Sequence, residues 1–316
     1  MDLPATAPKR DERASLNAAI EQVNRIVLGK RHAVRLAFAS VLAGGHLLLE
    51  DLPGMGKTTL AHALAATLGL SFSRIQFTSD LLPSDIIGVS VFERERAAFR
   101  FHAGPVFAQL VMADEINRAT PKTQSALLEA MAERQVTVDG ELHPLPDPFV
   151  VIATQNPLDL AGTFPLPDSQ LDRFLLRISL GYPPAEAERE MLTTRDRREL
   201  LDELSPQLDP HSLLELRRRV DAVTARPALL DYLQALLAAS RSRAQLRTGL
   251  SPRAGLALLH AARAWAFLGD RDYVLPEDVQ AVFVATAAHR LVPGSESSDR
   301  DEVARQLLAS VPVDAR

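Results

Sequence analysis

The segment Asp51–Thr59 constrains the fold more than any other part of the sequence. It reads Asp-Leu-Pro-Gly-Met-Gly-Lys-Thr-Thr and stands between a short apolar run, His46–Leu49, and an alanine-rich run that ends at Gly69. A buried strand, a glycine-rich turn and a helix in this order are typical of a loop that binds phosphate groups. Its backbone N–H groups turn toward phosphate oxygens, and the helix N-terminus adds partial positive charge. The pattern therefore predicts an α/β fold with a phosphate-binding loop at a strand end.

The residues of this loop have expected roles. Lys57 is one of only four lysines in the chain; we expect its ammonium group to contact the outer phosphates of a nucleotide, and the Thr58 hydroxyl to bind Mg²⁺. The other candidate contacts to the nucleotide in this loop are Pro53, Gly54, Met55, Gly56 and Thr59. Asp51 stands where the full pattern has glycine, but aspartate tolerates left-handed backbone, so we expect the turn to survive. The alternative is a glycine-rich turn that holds a lysine by chance.

Polar residues also follow two later apolar runs. Leu110–Ala113 leads into Asp114 and Glu115, and Phe149–Ala153 leads toward Asn156. This arrangement suits nucleotide hydrolysis, in which Asp114 would hold Mg²⁺ through water and Glu115 would polarise the attacking water. Asn156 would hydrogen-bond that water or the γ-phosphate. The alternatives are an acidic cap at a strand end and an ordinary Asn-Pro turn.

The chain changes character at Tyr182-Pro183-Pro184. Strands alternate with helices up to about residue 180, which predicts a largely parallel sheet covered by helices. Only helical periodicity follows, over residues 185–196, 211–224, 227–243, 252–267 and 277–290, with a short piece near 300–310. We therefore expect two domains, residues 1–183 with N-terminal helices and the α/β core, and residues 184–316 as a helical lid.

Two hairpins and one helix cap are also predicted. Asp139-Gly140, within Gln135–Leu142, favours a two-residue hairpin turn because both positions tolerate a positive φ. Residues 88–101 contain two alternating apolar runs separated by Glu93–Arg96, which indicates a second hairpin. Ser15 is the expected N-cap of the first helix, since the apolar residues after it follow helical spacing.

Composition excludes several classes of protein. The 316 residues include 40 acidic and 35 basic side chains, for a formal charge of −5, whereas nucleic-acid-binding proteins usually carry a positive field. Every apolar run is far shorter than the ~20 residues that cross a bilayer, and the N-terminus lacks a signal-peptide pattern. The chain has no cysteine, which excludes disulfides and thiolate metal sites, and its eight histidines lack metal-ligand spacing. We expect a cytoplasmic protein without membrane insertion.

Taken together, these residues resemble the MoxR-type AAA+ ATPases. The resemblance runs from about Ile20 to Leu291 and is most specific in Leu48–Leu60, Gly104–Gly140 and Gly162–Arg177. It implies a P-loop AAA+ core with a parallel sheet sandwiched by helices, an all-α lid domain after it, and ATP and Mg²⁺ as ligands. Many similar ATPases also carry aspartate at the position of Asp51.

The resemblance implies further site residues. Asn156 matches sensor 1, and Arg173 matches an arginine finger that reaches the ATP of the neighbouring subunit. Arg253, in the first turn of a lid helix, matches sensor 2 and is expected to contact the nucleotide. Adenine is usually held at the position of Val27, Leu28 and Gly29.

The residues alone leave alternatives open for these arginines. Arg173 could instead pair with Asp172 or Asp168, and Arg253 could be an exposed residue at a helix start. Arg118 could also reach across a subunit boundary and has no assigned role.

The resemblance implies a ring-forming ATPase, expected to be a hexamer, that hydrolyses ATP to ADP and phosphate. Hydrolysis would drive chaperone-like remodelling, assembly or activation of a protein client, and the hairpin at residues 88–101 is the candidate contact. The usual partners of such proteins carry a von Willebrand factor A domain. Three alternatives stay open: a motor that remodels nucleic acid, a nucleotide-dependent binding switch with little hydrolysis, and a small-molecule P-loop kinase.

Overall fold

A five-stranded parallel sheet forms the centre of the protein. The computed structural model describes residues 12–158, 162–193, 197–295 and 299–313. The strands of the sheet, in the spatial order β2-β5-β8-β1-β9, are β1 (Leu47–Glu50), β2 (Phe72–Gln76), β5 (Leu110–Asp114), β8 (Val150–Gln155) and β9 (Leu176–Ile178). Every pair of neighbours in this sheet is parallel. The predicted α/β class is confirmed.

Helices cover both faces of this sheet. They are α1 (Glu12–Ile26), α2 (Arg31–Leu42), α3 (Lys57–Thr67), α4 (Pro83–Ile87), α5 (Pro121–Glu133) and α6 (Asp168–Leu171). Alternate strand residues point to opposite layers: Leu47 and Leu49 are buried with residues of α1–α3, whereas Leu48 is buried with residues of α5. Because both faces are covered, the strands read as continuous apolar runs, as parallel strands usually do.

A helical segment follows the sheet. It contains α7 (Ala185–Thr193), α8 (Arg197–Asp202), α9 (Pro210–Asp221), α10 (Pro227–Ser242), α11 (Pro252–Leu268), α12 (Pro276–Ala287) and α13 (Arg300–Ala309). Proline occupies the first position of α9 to α12, where its missing N–H costs nothing. The helix predicted over 185–196 agrees with α7 up to residue 193, and its last three positions lie outside the described residues.

The expectation of helices alone after the sheet was wrong in one detail. The strands β10 (Leu246–Thr248) and β11 (Val292–Pro293) form a small antiparallel sheet within the helical segment. Strands this short have no periodicity to read, so the sequence gives no signal for them.

Both predicted hairpins are present. The first pairs β3 (Gly88–Glu93) with β4 (Ala98–Ala103), and the second pairs β6 (Gln135–Val138) with β7 (Glu141–Pro144). In the second turn, Asp139 and Gly140 have φ values of 51° and 86°, as the sequence predicted. The predicted cap at Ser15 was wrong, because α1 already includes Glu12 and Ser15 lies inside it.

No helix among the described residues is both long and apolar enough to cross a membrane.

His46, directly before β1, contacts the neighbouring strand β8 and the helix α5. The ring is buried; its Nδ1 accepts a hydrogen bond from the Val151 N–H at 3.0 Å, and its Nε2 lies 3.2 Å from the Met131 carbonyl oxygen. An Nδ1 that accepts requires the neutral ring with its proton on Nε2. Burial, helped by the nearby positive charges of Arg134 and Arg217, lowers the pKa of His46 to about 4. Burial likewise lowers the pKa of His289.

This burial predicts a loss of stability in mild acid. In the unfolded chain a histidine has a pKa near 6.5 and binds its proton before the folded protein does. The contribution of His46 is complete above that pH and is lost as the pH falls toward about 4. It amounts to about 3 kcal/mol of unfolding free energy, and His289 adds a loss of the same sign. Urea denaturation between pH 7.5 and 4.5 should show the decline, and His46→Gln should flatten it. An equal slope in the variant would contradict this origin.

Candidate functional site

Three neighbouring strands end at one cavity of about 310 Å³. Parallel neighbours bring their carboxyl ends to the same edge of a sheet, so β1, β5 and β8 deliver their following residues together. The cavity is lined by the loop after β1, the end of β5 and the end of β8: Pro53, Gly54, Gly56, Lys57, Thr58, Thr59, Asp114, Glu115, Thr154, Gln155 and Asn156. Most residues predicted to bind or hydrolyse a nucleotide are therefore adjacent.

The glycines of the loop are in conformations that suit a phosphate cradle. Gly54 and Gly56 have φ values of 82° and 87°, and a Cβ on either would meet no atom within 4 Å. This open space lies at the N-terminus of α3, where N–H groups without helical partners and the helix dipole attract anions. Lys57 Nζ donates to the carbonyl oxygens of Asp51 at 2.5 Å and Leu52 at 2.9 Å. The loop thus holds its lysine beside the cradle.

Asp114 is held by two neighbours. Its Oδ2 accepts from Arg74 Nε at 3.1 Å and Nη2 at 2.5 Å, and its Oδ1 accepts from the Thr154 hydroxyl at 2.6 Å. The carboxylate is buried, so the ion pair with Arg74 compensates a charge that would otherwise be costly. Arg74 and Thr154 consequently fix the Asp114 carboxylate at the cavity wall.

Glu115 adopts an unusual backbone conformation. Its φ of 56° and ψ of 49° are left-handed, which is uncommon for a residue other than glycine. The Glu115 N–H donates to Thr154 Oγ1 at 2.9 Å, and its side-chain Oε2 accepts from Gln76 Nε2 at 2.9 Å and lies 3.1 Å from Arg118 Nε. These partners hold the second carboxylate at the cavity. Arg118, which the sequence left without a role, thus pairs with Glu115 of its own chain.

Asn156 fits both interpretations that the sequence left open. Its Oδ1 accepts from the Leu158 N–H at 3.1 Å, which forms the turn expected of Asn-Pro. The same side chain is largely buried and lines the cavity. The turn therefore orients the amide rather than competing with a role at the site.

The two predicted arginines lie away from this cavity. Arg173 lines a separate cavity of about 480 Å³ with Ser125 and Glu129, and its Nη1 donates to the Leu128 carbonyl. Arg253 has a side chain that is 66% exposed, and its Nε is 3.9 Å from Asp172 Oδ2. The alternative pairing of Arg173 with acidic neighbours is not observed among the described residues: Asp172 pairs with Arg290, and Asp168 pairs with Arg300.

Four predicted nucleotide contacts also lie outside the lining of this cavity. Val27 and Leu28 are buried directly after α1, and Met55 packs against the hydrophobic core. Gly29 has a φ of 71°, and a Cβ there would lie 2.6 Å from Pro184 Cδ. Gly29 therefore contacts the linker that leads to the helical segment, rather than the phosphate loop.

The donor set of the cavity fits a magnesium nucleotide. Thr58 and Asp114 offer one hydroxyl and one carboxylate, and Mg²⁺ prefers few protein oxygens together with phosphates and water. Among the described residues, no cluster of three or more His, Cys, Asp or Glu side chains could hold a metal on its own. The glycine cradle supplies the space, and Lys57 the charge, for the phosphates.

Comparison with known proteins identifies the family. Residues 46–176 match the family described as "ATPase family associated with various cellular activities (AAA)", and residues 238–309 match the AAA lid domain. The chain is 42% identical to "Chaperone MoxR1" of Mycobacterium tuberculosis over 88% of this chain and 76% of that relative. It is 35% identical to "Protein MoxR" of Paracoccus denitrificans over 96% and 98% of the two chains. This chain belongs to the MoxR-type AAA+ ATPase family.

Two further comparisons cover nearly all of this MoxR-type chain. The uncharacterised protein YeaC of Bacillus subtilis is 42% identical over 97% of each chain. A crystal structure of a candidate ATPase from Cytophaga hutchinsonii is 36% identical and superposes with a TM-score of 0.86 over 96% of each chain. The predicted AAA+ fold is thus confirmed by a solved structure as well as by sequence.

Four residues of the site in this MoxR-type chain were not predicted from the sequence. Thr154 and Gln155 end β8, and Arg74 and Gln76 lie two apart on β2, where one face of the strand meets Asp114 and Glu115. A signal existed for Thr154 and Gln155, since they are polar residues at the end of a strand that is otherwise apolar. Arg74 and Gln76 carry no such signal, because β2 reads Phe-Ser-Arg-Ile-Gln and is mostly polar. Their partners depend on the register of β2 against β5, in which Gln76 lies opposite Asp114.

Thr154 offers a stability test of this arrangement. Thr154→Val keeps the shape but leaves a buried carboxylate oxygen and the Glu115 N–H without their partner, which costs about 2 kcal/mol. Thr286→Val is the matched control, because that buried hydroxyl donates to the Val282 carbonyl of its own helix. Chemical denaturation should show that Thr154→Val loses much more free energy of unfolding than Thr286→Val does. Equal losses would mean that Thr154 does not hold the two acidic residues.

Proposed function

We propose that this protein hydrolyses ATP to ADP and phosphate, and that the cavity between the phosphate loop and Asp114 is where it does so. The observation that carries this proposal is the meeting of Lys57, Asp114, Glu115 and Asn156 around one glycine cradle. A loop that only bound phosphate would need neither the two carboxylates nor the amide. Membership of an ATPase family supports the same reaction.

Binding would use the loop and its lysine. The N–H groups of residues 54–59 would contact the phosphate oxygens, and the Lys57 ammonium would leave its carbonyl partners for the outer phosphates. Thr58 and Asp114 would hold Mg²⁺, which neutralises phosphate charge when bound. Since Asp114 now contacts Arg74, that guanidinium would turn aside as the nucleotide enters.

Hydrolysis would depend on Glu115 and Asn156. Glu115 would take the proton from the attacking water, and the Asn156 amide would orient that water or the γ-phosphate. The hydrogen bond from Gln76 and the ion pair with Arg118 keep the Glu115 carboxylate oriented at the cavity.

A second subunit would complete the site. Arg173 lines its own cavity, apart from the phosphate loop of the same chain, so it would act on the ATP of a neighbour in a ring, which we propose to be a hexamer. A cation at the γ-phosphate lowers the barrier to phosphoryl transfer, so turnover would follow assembly. Arg253 would contact the nucleotide from the lid.

The energy of hydrolysis would move the lid, residues 184–316, relative to the core, residues 1–183. We propose that this motion remodels or activates a protein client in the cytoplasm, as the name "Chaperone MoxR1" of one relative suggests. A partner with a von Willebrand factor A domain is the proposed client class. The exposed apolar residues of the first hairpin, Val89, Val91, Phe92 and Phe99, are the proposed contact.

Glu115→Gln tests the chemistry. The variant should bind ATP normally but lose at least about 100-fold in turnover, because the amide cannot accept the proton. Glu215→Gln, on the surface of α9, is the matched control and should hydrolyse like the wild type. Phosphate release and ATP binding are both measured. Turnover at the wild-type rate in Glu115→Gln would contradict the role of Glu115. A wild type that binds ATP but releases no phosphate would favour the nucleotide-dependent binding switch.

Subunit mixing tests the shared site. Arg173→Ala and Glu115→Gln should each be nearly inactive alone, whereas a mixture should regain activity. In a mixed ring, the intact Glu115 of one subunit meets the intact Arg173 of the other. Arg305→Ala, on the exposed face of α13, should retain activity and serves as the matched control. A mixture with no more activity than its components would contradict a site shared between subunits.

A further inference from the structure

Asp51, which replaces the first glycine of the phosphate-loop pattern, makes four hydrogen bonds through its carboxylate. Oδ1 accepts from the Leu52 N–H at 2.9 Å. Oδ2 accepts from the Leu180 N–H and the Gly181 N–H, both at 2.6 Å, and from the Ser179 hydroxyl at 3.0 Å. The residue is only 7% exposed. Hydrogen bonds to a buried carboxylate are among the stronger ones in proteins, so this contact is well defined.

The three donors to Oδ2 belong to one segment. Ser179, Leu180 and Gly181 begin the linker between β9 and α7, which carries the chain from the sheet into the helical segment. The linker is held again at Tyr182, whose carbonyl accepts from Lys30 Nζ. Asp51 therefore ties the first residue of the phosphate loop to the linker that leads into the lid.

The backbone of Asp51 contacts the other side of the site. Its carbonyl oxygen accepts from Lys57 Nζ at 2.5 Å, and its N–H donates to the Gln155 carbonyl at 3.2 Å, one residue before Asn156. A single residue thus touches the phosphate-binding lysine, the strand that leads to Asn156 and the lid linker. A glycine at this position would keep the two backbone contacts and lose the contact to the linker.

We propose that Asp51 is a positioning residue that couples occupancy of the phosphate loop to the position of the lid. This inference rests on the proposed function, since it requires that Lys57 leave the Asp51 carbonyl for a phosphate group. When Lys57 leaves, the Asp51 carbonyl loses a hydrogen bond and the loop at Asp51 can shift. Because the Asp51 carboxylate is bonded to the N–H groups of Leu180 and Gly181, this shift moves the linker as well. Loops with glycine at this position bind phosphate without any carboxylate there. We therefore expect that a substitution of Asp51 can remove the coupling to the lid without removing phosphate binding.

A distance measurement between core and lid tests the coupling. Because the chain has no cysteine, fluorophores can be placed on Lys122→Cys in the core and Asp231→Cys in the lid, both exposed positions. Energy transfer is measured without nucleotide, with Mg·ADP and with a slowly hydrolysed ATP analogue. The labelled parent should change its transfer efficiency on binding the analogue. Asp51→Gly should bind the analogue with an affinity within a few-fold of the parent and lose most of that change.

Turnover gives a second readout that a purely structural role would not move. Coupling between sites typically changes equilibrium affinities about 5- to 150-fold. Because lid motion limits kcat in many enzymes, we expect a fall of the same order, about tenfold, in the kcat of Asp51→Gly while KM changes little. Asp51→Asn keeps the shape but loses the charge and should lie between the parent and Asp51→Gly. Ser179→Ala removes one donor and should weaken the lid response slightly.

Asp278→Asn is the matched control. Asp278 is also a buried carboxylate that accepts from a backbone N–H, that of Leu275, but it lies within the lid and pairs with Arg271. This variant should lose stability while keeping the nucleotide-dependent change in energy transfer. Thermal unfolding establishes that each variant is folded at the temperature of the assay.

Three outcomes would overturn the inference. Asp51→Gly and Asp51→Asn with the lid response of the parent would show that the carboxylate only supports the fold. A parent that binds the analogue without any change in energy transfer would show that the loop and the lid are not coupled. A parent that binds no nucleotide would overturn the proposed function itself, and this inference with it.

Discussion

The hydrogen bond from the Thr154 hydroxyl to the Asp114 carboxylate holds the site together. It joins the ends of β5 and β8, two neighbours within the sheet, at 2.6 Å, and the Thr154 side chain is fully buried. Because the same hydroxyl accepts from the Glu115 N–H, it also fixes the left-handed turn that directs the second carboxylate. A small change at this hydroxyl would therefore displace both acidic residues.

The helical segment is joined to the sheet by two different kinds of contact. One is apolar: residues of α9, α11 and α12 share a continuous core with α1, α2 and α3. The other is polar and lies near the carboxyl edge, where Arg177 pairs with Glu50 at 2.7 Å and also with Asp301 of α13. Hydrogen bonds and ion pairs can be exchanged as a ligand binds, whereas the apolar core resists change. This contrast supports the proposed motion of the lid, in which polar contacts at the sheet edge would change while the apolar contacts are kept.

The parts of the site that were predictable are those encoded by neighbouring residues. The phosphate loop and the Asp114-Glu115 pair each depend on a few consecutive residues, and the structure has both at the predicted place. The same holds outside the site for the Asp139-Gly140 turn of the second hairpin. Arg74, Gln76 and Thr154 were not predictable as partners because their contacts depend on strand register, which pairs residues far apart in the sequence. The start of α1 was predicted wrongly for a simpler reason. Glu12 suits the first turn of a helix, so α1 begins before the serine that resembled its cap.

The most direct test of the account is a structure of the assembled protein with Mg²⁺ and a slowly hydrolysed ATP analogue. We predict phosphates on the N–H groups of residues 54–59, Mg²⁺ beside Thr58 and Asp114, and Arg173 of the neighbouring subunit at the γ-phosphate. In that structure Lys57 should also have left the Asp51 carbonyl. A nucleotide bound elsewhere, or a γ-phosphate reached by no second subunit, would contradict the account.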